Sequence, residues 1–359
     1  MKDFRVNIRI DKLSTDNIEE VYSLIADIDA IKNSLHLTKR LSLKTIECLT
    51  KFVIITSTGA SNRIEGNKLN DQEIEALYKN LRIKKLKTRD EQEIAGYIET
   101  LEFIFANYTD ISITESFILK LHSDMLNYSN KDQGHKGHYK IGSNRVEAKD
   151  DSGNLVGIIF EPTPPFLVRK EMQELIDWYN WALSEKIKHP LILIANFIFE
   201  FLAIHPFQDG NGRTSRLLTN LLLLQQGYYF TTIVSNEKII ENHKVDYYLA
   251  LNKTQNSWKT DKENISPWLI FFLNIVKLQA SQAMFIIESS DIENLLSPKQ
   301  LELWQWALQN EQTEFSRKDA IQQLGFADRT VEASIKKLVD LKKLQRLGEG
   351  KATRYKVIK

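Results

Sequence analysis

The sequence has little cysteine, proline or glycine, and each shortage excludes some classes of protein structure. Its one cysteine, Cys48, cannot form an internal disulfide, which excludes a disulfide framework and fits a reducing compartment. Only 7 prolines and 14 glycines interrupt 359 residues, so long stretches are free to form helices. No internal repeat or low-complexity tract is present. The chain has enough residues to bury a core without disulfides or metals.

An excess of charge of either sign and a long apolar run are also missing. The 48 basic residues nearly balance the 47 acidic ones, so no overall field attracts nucleic acid or an anionic membrane. The first 13 residues lack the apolar stretch of a signal peptide. We count no run of about 18 apolar residues, the length that spans a membrane. We therefore expect a cytoplasmic protein without a membrane partner.

Apolar residues recur at helical spacing along most of the chain, which predicts a mainly α fold. At about 100–200 residues per domain, the length allows two or three domains. We divide the chain into a helical region (1–110), a helical core (111–287) and a small domain (297–359), with a linker at 288–291. The predicted helices are 16–38, 43–65, 71–81, 90–106, 114–127, 171–184, 189–204, 214–226, 237–255 and 264–288.

Glycine and proline cluster in one stretch, residues 129–166, which contains five glycines and three prolines. Within it, residues 144–160 have turn-forming residues at their middle, Asp151 to Asn154, with apolar residues on the far side. This pattern predicts a β-hairpin.

Residues 205–216, with the sequence HPFQDGNGRTSR, differ from the rest of the chain. An apolar helix ends at a histidine, and a new helix begins after two glycines. Gly210 and Gly212 let the backbone approach a ligand closely, and the free N–H groups that follow form an anion site. Arg213 and Arg216 share a helix face and can pair with phosphate oxygens.

Two acid–base side chains in this segment complete the pattern. Asp209 offers the oxygen ligand that Mg²⁺ prefers and commonly shares with substrate phosphates. His205 is placed to act as a general base that takes a proton from an attacking hydroxyl. Together they predict transfer chemistry on the phosphates of a nucleotide. A plain helix–turn–helix with solvated arginines is the weaker interpretation, because it leaves the many specified positions within these twelve residues unexplained.

The segment resembles the signature of Fic-domain proteins, H-P-F-x-D-G-N-G-R-x-x-R, at every fixed position, and the resemblance covers roughly residues 45–285. That family has a helical fold and mostly transfers AMP from ATP to a hydroxyl side chain of a protein. The resemblance implies that His205 is the catalytic base and that Asp209 holds Mg²⁺ against the α- and β-phosphates. It further implies that Arg213 meets the β-phosphate region and Arg216 the γ-phosphate. The implied ATP-binding set also includes Gly210, Asn211, Gly212, Thr214 and Ser215, with Phe207 as a core anchor.

The predicted hairpin resembles the flap of this family, whose edge would pair with a target peptide as an added strand. Without the signature, an ordinary surface hairpin explains the pattern equally well. The flap residues would be Gly157, Ile158, Ile159 and Phe160.

Downstream, Tyr247 and Tyr248 resemble paired aromatic residues near the family's adenine pocket. Gln255 stands eight positions after Tyr247, where some relatives have asparagine. Two tyrosines at helical spacing are also common in a protein core, and that interpretation stays open.

The end of the predicted helix 43–65 resembles the family's inhibitory motif, [S/T]-x-x-x-E-[G/N]. Ser61 and Glu65 share a helix face, and Gly66 suits a helix C-terminus. The resemblance implies that Glu65 pairs with Arg216 and so blocks productive binding of ATP. Its position before the core resembles the subclass with an N-terminal inhibitory helix.

The C-terminal residues 297–359 form a basic module with a net charge of +5. Predicted helices at 298–310, 317–324 and 328–343 precede strands at 344–347 and 354–358, and this order resembles a winged helix. Such a surface can bind DNA phosphates, and docking of a protein or dimerisation is the alternative. The basic side chains are Arg329, Lys336, Lys337, Lys342, Lys343, Lys351, Arg354 and Lys356.

Our leading hypothesis is a protein adenylyltransferase that uses ATP and Mg²⁺ and is autoinhibited by Glu65. Its partners would be a protein with a target hydroxyl, the protein itself through self-modification, and a second copy, since relatives are often dimers. One alternative is a DNA-binding regulator whose Fic body senses nucleotide without turnover. Another is a Fic enzyme that transfers UMP, phosphate or phosphocholine, or removes AMP.

Overall fold

The computed structural model describes residues 5–37, 43–81, 86–144, 146–149, 155–293, 296–309, 314–348, 350 and 353–358. This part of the chain contains 15 α-helices and two small antiparallel sheets, which confirms the mainly α prediction. The helices divide between two compact units, one with residues 5–37 and 43–282 and the other with residues 283–358. The division at 110 stays a prediction.

The larger unit contains the signature segment, and most of its helices agree with the predicted positions. Its helices are α1 (Arg5–Asp11), α2 (Thr15–Leu37), α3 (Leu43–Ile64), α4 (Asp71–Asn80), α5 (Arg89–Asn107), α6 (Glu115–Met125), α7 (Pro165–Ser184), α8 (Pro190–Ile204), α9 (Asn211–Gln225), α10 (Asn236–Asn242) and α11 (Lys244–Gln255). A 3₁₀ turn covers Tyr229–Thr232, and α12 (Ser266–Glu293) runs past the end of this unit.

The core of the larger unit is built around α8, whose residues from Leu191 to Ile204 are all buried. α8 packs against α7 and α9. A helix that is apolar on every side can be stable only when other elements cover it all round. The loop between α8 and α9 therefore starts and ends on two rigid, buried helices.

The helix α1 lies where the sequence analysis predicted none. Its Arg9 is fully buried, with Nη1 2.5 Å from Oε2 of Glu200 on α8 and 3.1 Å from Oε1 of Glu263. Arg5 also pairs with Glu200, which is itself only 2% exposed. Arg5 and Arg9 at the chain start therefore belong to an ion-pair network with Glu200 and Glu263.

Three predicted boundaries were wrong. α7 begins at Pro165 and not at residue 171, because proline is well suited to the first position of a helix. The predicted helix 237–255 is two helices, α10 and α11, which break at His243. Residues 288–291 are no linker, since α12 continues to Glu293 without a glycine or proline to stop it.

The helix α12 also differs from the expectation of no long apolar run. Its stretch Ser266–Glu288 is long and apolar enough, by those two measures alone, to cross a membrane. Core helices meet the same criterion. Leu269, Leu273 and Val276 on this stretch are buried inside the protein, as in a core helix.

The hairpin consists of β1 (Val146–Lys149) and β2 (Leu155–Phe160), paired antiparallel as predicted. Along the backbone, Gly157 lies opposite Ala148, Ile158 opposite Glu147, and Phe160 opposite Val146. The predicted turn at 151–154 lies outside the described residues.

Within its described residues, the smaller unit contains the last part of α12 and three further helices, α13 (Pro298–Gln309), α14 (Arg317–Leu324) and α15 (Asp328–Asp340). It also contains the antiparallel strands β3 (Leu344–Leu347) and β4 (Arg354–Val357). α14 begins with a capping box of Ser316 and Asp319 and ends at Gly325 in a left-handed conformation. The element order follows the prediction. Its core is formed by Leu303, Trp304, Ala307, Phe315, Ala320, Val331, Ile335, Leu338 and Leu344.

Candidate active site

His205 ends α8 in a left-handed conformation, with φ 53° and ψ 60°. Its Nδ1 lies 3.3 Å from the carbonyl oxygen of Leu202. Because a carbonyl can only accept, Nδ1 carries the proton and Nε2 keeps a lone pair. Desolvation, only partly offset by that hydrogen bond, lowers the pKa of His205 to about 4. The imidazole is therefore neutral at pH 7 and can accept a proton at Nε2.

The loop after His205 is closed by a reciprocal pair of hydrogen bonds. The N–H of Phe207 donates to Oδ1 of Asn211 at 2.8 Å, and Nδ2 of Asn211 donates back to the Phe207 carbonyl at 2.7 Å. Phe207 is fully buried, as the sequence resemblance implied for a core anchor. The side chain of Asn211 thus shapes the loop, and only its backbone N–H can meet a ligand.

The N-terminus of α9 is an open anion site. Gly210 precedes it with φ 82°, where a side chain would be strained. The N–H groups of Asn211, Gly212 and Arg213 have no acceptor in the described part of the chain, and the first helical bond comes from the N–H of Thr214. Three unpaired N–H groups and the helix dipole favour a phosphate at this position.

His122 on α6 supports this loop, and the sequence analysis missed it. Its Nδ1 accepts the N–H of Gly137 at 3.0 Å, so Nε2 carries the proton and donates to the Asp209 carbonyl, also at 3.0 Å. The ring stacks on Phe207 with 3.7 Å between centroids. A lone histidine on a predicted helix gives no signal of such a role, because the contacts come from two other segments, at Gly137 and at the loop of Phe207 and Asp209.

Asp209 lies at the rim of the anion site, with 39% of its side chain exposed. Its Oδ1 accepts the N–H of Gly210 and lies 3.3 Å from Nη2 of Arg213, and its Oδ2 lies 3.2 Å from Nη2 of Arg89. Burial raises the pKa of Asp209, but Arg213, the Gly210 N–H and Arg89 more than offset this and lower it. The group is a carboxylate at neutral pH.

Asp209 suits a cation that is shared with a substrate. No three His, Cys, Asp or Glu side chains converge on a metal position anywhere in the described ranges. Mg²⁺ needs only one or two carboxylates when substrate phosphates supply the other ligands. The half-exposed, ionised Asp209 beside the open N-terminus of α9 fits that kind of Mg²⁺ site.

Arg213 and Arg216 occupy different surroundings although both are buried. Arg213 lies 3.3 Å from Glu93 on α5, a partner that the sequence analysis did not name. Arg216 donates from Nε to Oγ of Ser61 at 2.8 Å and from Nη2 to the Ser61 carbonyl at 2.9 Å. Its Nη1 is buried without a partner among the described residues. An unpaired guanidinium N–H is available for an anionic ligand.

Glu65 meets Arg216, as the resemblance implied. Its Oε1 lies 2.8 Å from Nη2 of Arg216. Burial lowers the pKa of Arg216, but the charge and hydrogen bond of Glu65 together with the nearby Tyr247 and Tyr97 more than offset this and raise it. A Cβ placed on Gly212 would clash with the same Oε1, so this carboxylate lies directly against the start of α9. Glu65 therefore occupies space beside the anion site.

The conformation of Gly66 determines the position of Glu65. It has φ 97°, its N–H donates to the Arg63 carbonyl, and the N–H of Asn67 donates to the Asn62 carbonyl. This pair of bonds is a Schellman motif, which ends α3 and turns the chain. Glu65 thus lies in the turn just beyond the helix, and its position depends on a glycine conformation.

The other residues predicted to bind ATP differ in their burial and in their position in the fold. Thr214 and Ser215 are buried, and Ser215 donates to the Gly212 carbonyl in its own helix. Tyr247 is buried in a small cavity that Arg216 also lines, and Tyr248 is 45% exposed, with 5.1 Å between the two ring centroids. Gln255 is partly exposed at the last residue of α11, two turns from Tyr247.

Phe160 is the one predicted flap residue whose side chain is described. It is buried and packs on Trp258, with 5.5 Å between ring centroids. Trp258 also donates from Nε1 to Glu200 at 3.1 Å. The end of β2 is therefore anchored to the α8 network. The flap roles of Gly157, Ile158 and Ile159 stay predictions.

Residues 112–223 match the model of the Fic/DOC family. The chain therefore contains a Fic domain, which confirms the family predicted from residues 205–216. Among curated proteins, it is 28% identical over 212 residues to protein adenylyltransferase Fic of Nematostella vectensis, covering 59% of this chain and 44% of the relative. It is 30% identical over 199 residues to protein adenylyltransferase fic-1 of Caenorhabditis briggsae, covering 54% and 36%. The chain thus spans less than half the length of these relatives.

Solved structures agree on the fold. A Fic family protein from Desulfovibrio desulfuricans G20 superposes with a TM-score of 0.61 over 97% of both chains, at 22% sequence identity. Fic-1 from C. elegans superposes with a TM-score of 0.58 over 76% of this chain and 73% of that one, at 19% identity. These similarities confirm the predicted helical fold.

Proposed function

We propose that this protein is an adenylyltransferase that transfers AMP from ATP to a hydroxyl side chain of a protein. The observation that carries the proposal is the position of a neutral His205, with its lone pair on Nε2, next to an open helix N-terminus that can hold phosphates. The names of the curated relatives support it.

In the proposed reaction, Nε2 of His205 takes the proton of the target hydroxyl as its oxygen attacks the α-phosphorus of ATP. A bond forms between that oxygen and the phosphorus, and the bond to the β-phosphate bridging oxygen breaks, which releases pyrophosphate. The N–H groups of Asn211, Gly212 and Arg213 hold phosphate oxygens, and Arg216 offers its unpaired Nη1. Asp209 would hold Mg²⁺, which neutralises charge on the departing phosphates.

Glu65 is the proposed brake on this reaction. It is an anion that uses Arg216 and lies against Gly212, so it competes with a phosphate for the same surroundings. ATP that cannot reach Arg216 is held without its α-phosphorus in line with the hydroxyl. Removal of Glu65 should therefore improve positioning more than affinity.

Labelled ATP tests the proposed reaction directly. Glu65→Gly protein should acquire label, or label a protein in a cell extract, from ATP with ³²P at the α-phosphate but not at the γ-phosphate. Transfer of the γ label would instead indicate a phosphotransferase. Label from UTP or a choline nucleotide would indicate another transferred group. Release of free AMP from a preformed adduct would indicate an enzyme that removes AMP by hydrolysis. His205→Ala protein is the matched control.

A DNA-binding regulator is the second candidate, favoured by the exposed pair Lys336 and Lys337 on α15. If the smaller unit binds DNA phosphates, affinity for a mixed duplex library should fall steeply with salt. Changing both lysines to alanine should reduce the slope of log affinity against log salt by about two. Lys12→Ala, an exposed change in the larger unit, should leave it unaltered. No binding at low salt would favour docking of a protein.

A further inference from the structure

Residues 140–144, just before the hairpin, hold the backbone around His205. Nζ of Lys140 donates to the Ile204 carbonyl at 3.3 Å, and its backbone N–H donates to the Pro206 carbonyl at 2.9 Å. Nδ2 of Asn144 lies 3.2 Å from the His205 carbonyl and 2.7 Å from that of Phe207. Two side chains and one N–H thus serve four consecutive carbonyls.

The two side chains form a unit of their own. Nζ of Lys140 also donates to Oδ1 of Asn144 at 2.6 Å, which orients the amide so that its Nδ2 faces the loop. Lys140 is only 4% exposed, and it has no carboxylate within ion-pair distance in the part of the chain that is described. A buried ammonium without a carboxylate is costly unless carbonyl and amide oxygens, or the negative end of a helix, stabilise it.

This support is needed because the end of α8 is unfavourable by itself. The last carbonyls of a helix have no partner within it. His205 also has a φ of 53°. This left-handed conformation is unfavourable for a residue with a Cβ, so contacts with the surrounding residues must stabilise it. That conformation sets the direction of the imidazole ring and the 3.3 Å contact of Nδ1 with Leu202.

We propose that Lys140 and Asn144 are positioning residues that lock the left-handed conformation of His205 and so aim its Nε2 at the reacting hydroxyl. The role rests on the proposed function, because it serves His205 as the base. Neither side chain needs to touch ATP or the target. Burial lowers the pKa of Lys140 to about 8, which is consistent with a cation kept for its hydrogen bonds in a desolvated place.

Four variants, each made in the Glu65→Gly protein, test this role. Lys140→Met removes the ammonium and keeps the apolar stem, and Asn144→Ala removes the amide. Lys140→Arg restores a charged donor. Lys136→Met is the matched control, because Lys136 is a partly exposed lysine of the same loop, with Nζ 3.5 Å from Oδ1 of Asn127.

The variants should change the rate of single-turnover transfer but not the affinity for ATP. We expect Lys140→Met and Asn144→Ala to slow transfer by about tenfold to a hundredfold, as small misplacements of catalytic groups do. The dissociation constant of ATP, measured by calorimetry, should stay within about twofold of the parent, since the phosphates are held by other residues. Lys140→Arg should recover most of the rate, and Lys136→Met should not change it.

A second measurement does not depend on transfer at all. ¹⁵N spectra of histidine-labelled protein should show one tautomer for His205, protonated at Nδ1, in the parent and in Lys140→Arg. Lys140→Met and Asn144→Ala should show exchange between tautomers, even if the parent proves to transfer no nucleotide. If Lys140→Met does not fold, Asn144→Ala carries the test. Unchanged rates and spectra in folded variants, or equal losses of rate and ATP affinity with an unchanged His205 signal, would overturn the proposal.

Discussion

Glu65 and Arg216 are joined by a 2.8 Å contact although 151 positions separate them in the chain. Arg216 does not depend on this contact for its place, because Ser61 accepts from its Nε and its Nη2. Glu65 is 37% exposed and lies outside that buried pair of bonds. Loss of the carboxylate should therefore leave the guanidinium fixed and open to a ligand.

The first prediction concerns this carboxylate. Glu65→Gly should raise the transfer of AMP at saturating ATP by about tenfold to a hundredfold, because a phosphate can then reach Arg216 and align the α-phosphorus. Arg216→Ala should not activate, since it removes the phosphate ligand together with the brake. Glu65→Gly combined with His205→Ala should return to background.

Glu47→Gly provides the control for this prediction. Glu47 is exposed within α3, so glycine there weakens the helix by about 1 kcal/mol without touching Arg216. Equal activation by both variants would mean that loosening of α3, and not loss of the carboxylate, releases activity. If the folded Glu65→Gly protein is no more active than the parent, Glu65 is not inhibitory and residues 61–66 only end the helix α3.

The second prediction concerns the pH dependence set by His205. Its pKa of about 4 lies below the usual 6.5, so the imidazole is already in its basic form throughout the neutral range. The value of kcat/KM for Glu65→Gly protein should therefore hold as the pH falls from 7 to about 5 and decline only near 4. His205→Ala should abolish transfer with ATP affinity retained. A decline centred at pH 6.5 would contradict this assignment.

The third prediction is that Asp209 is needed for the response to Mg²⁺ but not for the binding of ATP. Asp209→Asn keeps the size of the side chain and an acceptor for the N–H of Gly210, but it removes the charge. Transfer should lose its response to Mg²⁺. Calorimetry in EDTA should show ATP binding at least as tightly as in the parent, because one anion beside the phosphates is gone. Full activity of the parent in excess EDTA would exclude a role for the metal.

The fourth prediction concerns stability. Arg9→Met removes a buried cation that Glu200 and Glu263 share and leaves Arg5 as the one cation paired with the buried Glu200 in the described part of the chain. Losing one partner of a buried ion pair should lower the free energy of unfolding by about 3–5 kcal/mol, measured by urea denaturation. Lys12→Met changes an exposed neighbour and should have an effect below about 0.5 kcal/mol. Equal effects would show that Arg9 contributes no more than a surface residue.

The sequence predicted those parts of the site that lie close together along the chain. Residues 205–216 form one contiguous segment, so their spacing alone indicated a helix end, a glycine turn and a helix start. The contacts of His122, Arg89 and Lys140 could not be predicted in the same way, because each exists only after distant elements pack. No local pattern distinguishes these three residues from other charged or polar residues on a helix or loop.

The boundaries that failed have similar causes. Proline at 165 is compatible with a loop and with the first position of a helix. The sequence alone does not distinguish the two, and the structure shows that α7 begins there. The break at His243 has no glycine or proline to mark it. The burial of Arg9 has no local signal, because it depends on acids nearly 200 and more than 250 positions away.

The ion pairs of Arg9 also bear on which fragment of the protein can be produced for study. The segment that matches the family model, 112–223, contains Glu200 but neither Arg5, Arg9 nor Glu263. Excised at those bounds, α8 would carry an uncompensated carboxylate in the middle of its apolar surface. The family match thus covers less than the compact unit to which Glu200 belongs, and an expressed fragment should extend at least from residue 5 to residue 282.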